Sequence, residues 1–355
     1  MIASVTVRRL DLPLMRPYRL SYRTFETFEP YLVEVVDTEG RTGFADAHIS
    51  PGSSAETREG GWAFLAEQAP AAVGRDAAEA KAALLEVADR SKVAATAIVT
   101  AIEVLEDHPL LDGDADAVLP LLAPVNATEP DAIRQEIAAG IAAGFRTFKV
   151  KVGKDVETDL ARLAAVQSAA AGRATLRLDA NRAFSREAAL RFVAGLDPEG
   201  IELFEQPCDA EDWEANRAVA AESPVPLMLD EPISTLADIE RAGTIPNVGF
   251  CKLKLKRFVS LEKLREGLEA VRAHGMEPVL GDGLGSEVHS WLEASVARST
   301  IRNAGEFNGF LKPRDRLFAD PLKFIDGAVR LDAGWRPRLD AAAVERHTAA
   351  RATHS

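Results

Sequence analysis

The segment 147–152, Thr-Phe-Lys-Val-Lys-Val, carries the pattern that decides the fold. Side chains alternate between the two faces of a strand, so Lys149 and Lys151 share one face and the apolar residues share the other. In a closed barrel the apolar face packs against the surrounding helices, and both lysines then point inward. Two ammonium groups in a confined space repel each other and lose hydration, which we expect to lower their pKa values and to make a usable base. The alternative for a single Lys-x-Lys is a solvent-exposed edge strand.

Three later strand ends carry carboxylates, Asp179, Glu205 and Asp230, each separated from the next by about one strand and one helix. The carboxyl ends of barrel strands meet at one face, so we expect the three acids to converge there. Such a cluster repels itself unless a cation neutralises it. Oxygen ligands favour Mg²⁺, with Mn²⁺ as an alternative. In the other interpretation, each acid pairs with a lysine or arginine of the barrel interior.

Strand and helix patterns alternate from residue 119 onward, which predicts an α/β fold with a (β/α)7-8 TIM-type barrel. The absence of a Gly-x-Gly-x-x-Gly motif after the first strand disfavours a dinucleotide-binding fold. We divide the chain into an N-terminal α+β capping domain (1–115), a catalytic barrel (116–325) and a C-terminal segment (326–355) that packs on the capping domain. The predicted barrel strands are 119–125, 147–152, 175–181, 201–206, 226–230, 248–255, 277–280 and a weak one at 305–309.

The capping domain reads as two strands, 4–14 and 31–37, followed by an Ala-rich stretch, 61–107, that predicts two or three helices. The segments 17–30 and 50–61 read as loops that cover a pocket. Aromatic residues of the first loop are candidates for substrate contact: Tyr18, Tyr22, Phe25 and Phe28.

The sixth predicted strand continues into three alternating lysines, Lys252, Lys254 and Lys256. This strand lies nearly opposite the second one in an eight-stranded ring, so an amine on it faces Lys151 across the cavity. Lys252 and Lys254 share one facing, and the pattern alone does not separate them. We expect Lys256 to be a surface charge.

The bulk composition limits the partners of the chain. A formal net charge of −13 argues against binding to nucleic acid or to an anionic membrane surface. No apolar run approaches the ~20 residues of a membrane span. Two cysteines are too few for a disulfide framework, so we expect a reducing, cytoplasmic setting. The remaining expectation is a small-molecule partner.

Taken in order along the whole chain, these motifs resemble the enolase superfamily, specifically its muconate-lactonising-enzyme-like subgroup. The resemblance implies that Asp179, Glu205 and Asp230 ligate the metal, while Lys151 and Lys252 act as acid/base groups on opposite substrate faces. It also implies auxiliary roles: Lys149 tunes Lys151 and helps to neutralise the substrate carboxylate, and Asn181 and Glu231 support the ligands. Relatives commonly assemble, so we expect a homo-oligomer.

The implied chemistry is removal of the proton α to a carboxylate through an enediolate. Racemisation, epimerisation or cycloisomerisation of a small carboxylate or amino-acid derivative would follow. The alternative is a dehydratase or other lyase on a hydroxylated amino acid of the hydroxyproline type, or on a sugar acid, with the same metal and lysines. A catalytically silent ligand-binding barrel is the third hypothesis.

Two departures from the family patterns leave the substrate open. The seventh strand ends in Gly281-Asp282, where a mandelate-racemase-type site needs a histidine, and we expect His289 to be structural. The eighth strand carries Gly-Glu-Phe-Asn-Gly at 305–309 in place of the Asp-x-Asp of dipeptide epimerases. Our candidates for substrate contact at these positions are Asp282 and Glu306, together with Tyr22.

Overall fold

A computed structural model gives the fold of residues 1–20, 23–52 and 54–355. The strands are β1 (Ile2–Leu10), β2 (Leu12–Arg19), β3 (Thr24–Phe28), β4 (Tyr31–Asp37), β5 (Thr42–Ala47), β6 (Ala117–Pro120), β7 (Ala123–Val125), β8 (Thr147–Lys151), β9 (Thr175–Asp179), β10 (Ile201–Glu205), β11 (Leu227–Leu229), β12 (Val248–Leu253), β13 (Glu277–Leu280), β14 (Lys323–Ile325), β15 (Ala328–Leu331) and β16 (Thr348–His354). The helices are α1 (Arg58–Ala72), α2 (Ala77–Glu86), α3 (Lys92–Leu105), α4 (Pro130–Ala142), α5 (Val156–Ala170), α6 (Arg186–Ala194), α7 (Trp213–Glu222), α8 (Leu236–Gly243), α9 (Leu255–Phe258), α10 (Leu261–Ala273), α11 (Glu287–Thr300) and α12 (Ala341–His347).

An antiparallel sheet in the order β16-β1-β4-β5 organises the N-terminal region. Val5 and Val7 of β1 lie opposite Val35 and Val33 of β4, and all four valines are buried. β-Branched pairs of this kind stabilise neighbouring strands. The nearly fully buried helix α3 packs against the sheet at β4 and β5. Strand β16 pairs with β1, so the end of the chain returns to the N-terminal sheet.

The first predicted capping loop, 17–30, is wrong, because most of this segment belongs to the antiparallel hairpin β2–β3. Its aromatic residues suit a strand, and Tyr18 lies opposite Phe25 across the hairpin. Phe25 and Phe28 are buried in the core and do not line the cavity described below. Tyr22 lies outside the described residues. The second predicted loop is shorter than expected, because Thr57 caps helix α1 at Arg58.

A curled sheet of seven parallel strands, β7 to β13 in sequence order, forms the barrel, as predicted from the alternating pattern. Strands β8 to β13 agree with the predicted segments to within two residues at each end. The first predicted strand, 119–125, is instead divided into β6 and β7. Strand β6 joins a separate sheet through antiparallel pairing with β15.

The described residues 305–309 form no regular strand, so the predicted eighth strand is reduced to a short closing contact. Gly305 N donates to Pro120 O (2.9 Å), and Leu122 N donates to Gly305 O (3.2 Å). On the other side, Glu306 N donates to Leu280 O (2.8 Å). These bonds connect the two edges of the seven-stranded sheet and bring Glu306 to the barrel interior. Glycine at 305 and 309 disfavours a longer strand here.

Within the described parts of the chain, no helix is long and apolar enough to cross a membrane. Cys208 and Cys251 are both free and buried.

Candidate active site

Three carboxylates, which we call the acid row, stand at the carboxyl ends of neighbouring strands. Asp179 and Glu205 are the last residues of β9 and β10, and Asp230 directly follows β11. Their exposed fractions are 0%, 0% and 2%, and all three line one cavity of about 330 Å³. The parallel register pairs Lys151 with Asp179 and Asp179 with Glu205, so neighbouring strands deliver these side chains at one level.

Two buried amines, which we call the inner lysines, bridge the acid row. Lys149 Nζ lies 2.9 Å from Asp179 Oδ2, 2.6 Å from Glu205 Oε2 and 3.0 Å from Glu306 Oε1. Lys252 Nζ lies 3.2 Å from Glu205 Oε1 and 4.0 Å from Asp230 Oδ2, and it also contacts Glu306. Each acid is therefore paired with a basic residue of the barrel interior, which is the second of the two arrangements considered from sequence.

Two further amines, which we call the outer lysines, flank the acid row at its ends. Lys151 contacts Asp179 and Asn181. Lys254 Nζ lies 2.9 Å from Asp230 Oδ2, and Arg257 Nη1 lies 2.9 Å from Asp230 Oδ1. The exposed fraction of the Lys151 side chain is 42%, against 14% for Lys254 and 4% for Lys252. Lys254 is thus the counterpart of Lys151 at the opposite end of the row, whereas Lys252 corresponds to Lys149.

The pKa of Lys149 differs from the sequence expectation. Burial alone would lower the pKa of Lys149, but the charges of Asp179, Glu205 and Glu306 hold it well above its usual value, so the predicted lowering is wrong for this residue. Burial would also lower the pKa of Lys252, but the charges of Glu205 and Glu306 outweigh this effect and raise the pKa above its usual value. For Lys254, burial outweighs the charge of Asp230 and lowers the pKa.

The pKa values of the acid-row carboxyl groups are shifted in different directions. Burial, together with the charge of Asp179, raises the pKa of Glu205 to about 7. Burial would raise the pKa of Asp230 as well, but Lys254 and Arg257 hold it well below its usual value. The central acid is therefore the one that most readily takes up a proton near neutral pH.

Lys256 is buried and forms an ion pair with Asp282, so the prediction of a surface charge is wrong. The prediction assumed that side chains continue to alternate between the two faces of a strand. The strand ends at Leu253, and the chain then turns into the short helix α9. Asp282, two residues after β13, and Glu306 both line the cavity. Burial would raise the pKa of both carboxyl groups. The charges of Lys256 and Lys254 nevertheless lower the pKa of Asp282, and those of Lys149 and Lys252 lower the pKa of Glu306. Both groups are therefore deprotonated at neutral pH.

Asn181 and Glu231 follow two of the acids closely in the sequence and contact charged neighbours. Asn181 accepts a hydrogen bond from Lys151, and its backbone N donates to Asp179 Oδ1 (2.8 Å). Glu231 lies 3.5 Å from Arg182, and both line the cavity. His289 is buried on α11, with Nδ1 3.1 Å from Asp46 O and Nε2 3.6 Å from Glu293 Oε1, which agrees with a structural role.

The acid row has the donor chemistry of a hard-cation site. All three groups offer carboxylate oxygens, the ligand type that Mg²⁺ prefers. Glu205 Oε2 and the neighbouring Glu231 Oε2 are buried without a well-aligned hydrogen bond. In the described residues, no three His, Cys, Asp or Glu side chains are grouped closely enough to hold a metal as they stand. The ammonium groups of the inner lysines carry the neutralising charge in this arrangement, and the residue types fit a divalent cation.

Several cavity residues were missed by the sequence patterns, among them Arg257 and Lys312. Arg257 lies on α9 and Lys312 lies in the irregular segment after 305–309, so neither occupies a position fixed by strand alternation. Tyr18, a predicted contact, does line the cavity, from the β2–β3 hairpin.

Comparison with known proteins places this chain in a family. Residues 132–336 match the family described as Enolase C-terminal domain-like. The chain belongs to the enolase superfamily, in its muconate-lactonising-enzyme-like subgroup. Superfamily relatives include muconate cycloisomerase 1 of Rhodococcus opacus, 28% identical over 94% of both chains. Another is the L-Ala-D/L-Glu epimerase of Clostridium acetobutylicum, 24% identical over 79% of this chain and 82% of the relative.

The superfamily fold extends over the whole chain. The crystal structure of an N-succinyl Arg/Lys racemase from Bacillus cereus superposes with a TM-score of 0.88, at 19% identity and covering 100% of both chains. These relatives are isomerases of the enolase superfamily: a cycloisomerase, an epimerase and a racemase.

Proposed function

We propose that this protein is a divalent-metal-dependent isomerase that removes the proton α to a carboxylate on one face and returns a proton on the opposite face. The observation that carries the proposal is the acid row with an outer lysine at each end. Lys151 and Lys254 contact Asp179 and Asp230 respectively and face the same cavity. Two amines that approach one carbon from opposite sides are the arrangement that racemisation or epimerisation needs.

In this proposal Asp179, Glu205 and Asp230 would hold Mg²⁺, or Mn²⁺ in its place. A bound divalent cation supplies Lewis-acid stabilisation of the negative charge that develops on the substrate carboxylate. The inner lysines Lys149 and Lys252 remain protonated and add positive charge beside that carboxylate. Lys151 takes the α-proton on one face, and Lys254 delivers a proton to the other.

We assign the second acid/base role to Lys254, not to Lys252 as the sequence resemblance suggested. The Lys252 amine is held between Glu205 and Glu306 and its pKa is raised, against the opposing effect of burial. The Lys254 amine contacts one acid-row residue, and burial lowers its pKa. A lowered pKa gives an amine a larger unprotonated fraction, which a base requires.

Isomerisation is favoured over the lyase alternative by the relatives, which are a cycloisomerase, an epimerase and a racemase. Of the three groups that could serve a lyase as its acid, Asp282 and Glu306 are each ion-paired with buried lysines and are deprotonated at neutral pH, which leaves protonated Lys252 for that role. The known activities of the relatives, a muconate cycloisomerase, an L-Ala-D/L-Glu epimerase and an N-succinyl Arg/Lys racemase, support a carboxylate or amino-acid derivative as substrate.

A deuterium-exchange screen tests the proposal. The wild-type protein is incubated in D₂O with Mg²⁺ and libraries of amino acids, N-acyl amino acids, dipeptides and hydroxy acids, and α-deuterium is measured by mass spectrometry. We expect exchange on at least one class, with no loss of water, and its abolition by EDTA. A control variant, Lys263→Ala at an exposed position of α10, should behave as wild type. Exchange that is unaffected by EDTA, or a product lighter by one water, would contradict the proposal.

A further inference from the structure

A group of polar atoms converges on Gly283, which lines the same cavity as the acid row. A Cβ atom built on Gly283 would lie 3.0 Å from Tyr18 Oη, 3.5 Å from Asn308 Oδ1 and 3.6 Å from Lys312 Nζ. These side chains come from the β2–β3 hairpin and from the segment that follows the barrel closure. We call Tyr18, Gly283, Asn308 and Lys312 the distal pocket.

Lys312 differs from the other cavity lysines in its partners. Its amine donates to Asn308 O (3.2 Å) and to Asn308 Oδ1 (2.8 Å), and it lies 4.6 Å from the centre of the Tyr18 ring. In the part of the chain that the structure describes, no carboxylate lies within 4.0 Å of Lys312 Nζ. Lys149, Lys151, Lys252, Lys254 and Lys256 each have such a partner. An ammonium group has three donors, so one N–H of Lys312 remains for a ligand.

Tyr18 offers a second donor beside Lys312. Its hydroxyl has no hydrogen-bond partner among residues 1–20, 23–52 and 54–355, and burial raises its pKa above the usual value, so it stays protonated at neutral pH. Asn308 Nδ2 donates to Leu122 O (3.2 Å), which fixes Asn308 Oδ1 towards the lysine. The distal pocket therefore offers two free hydrogen-bond donors, the Lys312 amine and the Tyr18 hydroxyl.

The charge of the whole cavity favours an anion. Among the described residues, ten basic and seven acidic side chains line it, although the chain carries a net charge of −13. A divalent cation in the acid row would increase this local positive excess. A substrate with a single carboxylate at the acid row would leave Lys312 without a counter-charge.

We propose that the distal pocket binds a second carboxylate, so that the substrate of this enzyme is a dicarboxylate whose far end accepts hydrogen bonds from Lys312 and Tyr18. This inference rests on the proposed function, because it assumes that the reacting carboxylate binds at the acid row. Burial lowers the pKa of Lys312 to about 7, against the weaker opposing charges of Asp282 and Glu306. A bound carboxylate provides the missing counter-charge and stabilises the ammonium form.

Matched pairs of simple acids test the inference by binding alone. Dissociation constants are measured by calorimetry, with Mg²⁺ present, for glutarate, adipate and pimelate and for pentanoate, hexanoate and heptanoate. In each pair a terminal methyl replaces one carboxylate. We expect at least one dicarboxylate to bind the wild-type protein tenfold or more tightly than its monocarboxylate partner. Lys312→Met should remove that preference and leave monocarboxylate binding unchanged, and the matched control Lys263→Met should retain it.

A second variant separates loss of the pocket from loss of folding. Gly283 does not have a positive φ, so Gly283→Ala keeps every charge and adds one methyl group in the space that the three polar atoms surround. We expect it to weaken dicarboxylate binding at least tenfold while its melting temperature without ligand stays near that of wild type. Equal binding of both members of every pair, or a preference that survives Lys312→Met, would overturn the inference. If α-proton exchange is nevertheless found, the proposed function stands without it, whereas absence of both binding and exchange contradicts both.

Discussion

The two walls of the cavity are built in different ways. The acid-row wall consists of side chains at the ends of regular strands, with Asp179 and Glu205 at the last positions of β9 and β10. The opposite wall, which we call the closure wall (282–285 and 305–312), presents Asp282, Glu306 and Lys312 from segments outside the strands and α-helices. In the first wall, the alternation of side chains along each strand determines where the residues point. In the second wall, hydrogen bonds such as that from Glu306 N to Leu280 O hold the backbone in place.

This difference predicts different consequences of mutation. The acid-row wall holds the groups that the proposed reaction uses, and changes there should act mainly on the rate. In the closure wall, Glu306 balances the charge of both inner lysines, so a change at Glu306 should act mainly on stability.

The largest effect is expected for Asp230→Asn in the acid row. The substitution removes one ligand of the proposed cation and one charge beside Lys254 and Arg257. We expect Mg²⁺-dependent α-proton exchange to fall by on the order of a thousandfold. The rise in melting temperature that Mg²⁺ gives the wild-type protein should also disappear. The exposed control Asp114→Asn should keep both properties, and a variant that keeps its magnesium response would remove Asp230 from the ligand set.

Glu306→Gln tests the closure wall. Glu306 is buried and contacts both Lys149 and Lys252, so its neutralisation leaves excess buried positive charge. Breaking a buried ion pair from one side costs about 3–5 kcal/mol. We expect a loss of this order in the free energy of unfolding, measured by urea titration without Mg²⁺. Exposed Glu266→Gln is the matched control. A loss no greater than that of the control would mean that Glu306 does not balance the inner lysines.

A smaller, pH-dependent effect is expected at His289, which lies behind the closure wall. Burial lowers the pKa of His289, but Glu293 and Asp46 outweigh it and raise the pKa to about 9. Because the folded pKa lies above the unfolded value, the stabilisation is complete below about pH 6.5 and is lost as the pH rises to about 9. The total is up to about 3 kcal/mol at ~1.4 kcal/mol per pKa unit.

His289→Asn isolates this contribution, because the new amide can replace Nδ1 near Asp46 O. The difference in unfolding free energy between wild type and variant should be largest at pH 6 and should shrink towards pH 9. A difference that stays constant across this range would contradict the assignment.

The contrast between the walls also explains what could be predicted from sequence. Alternation within 147–152 and the recurring acidic strand ends led to Lys149, Lys151 and the acid row, because strand geometry fixes where such side chains point. Lys256 was wrongly placed because α9 interrupts the strand period. Lys312 was missed because no period governs the segment that holds it.

The pKa of Lys149 shows a second limit of prediction from the sequence. The sequence places another lysine two residues away, which suggested repulsion between the two amines and a lowered pKa. In the fold, three carboxylates lie within 3.0 Å of the Lys149 amine and reverse the direction of the shift. Two of these acids were named from their strand ends, but which charges would lie closest to a given amine depends on packing across the barrel.

The most direct test of the central claim is α-proton exchange measured separately for the two enantiomers of the substrate found in the screen. Lys151→Ala and Lys254→Ala are compared with Lys252→Ala and with the control Lys263→Ala. We expect Lys151→Ala to abolish exchange from one enantiomer and Lys254→Ala to abolish exchange from the other, while neither variant interconverts them. If both enantiomers exchange normally in Lys151→Ala or in Lys254→Ala, the outer lysines are not the two bases and the account is wrong.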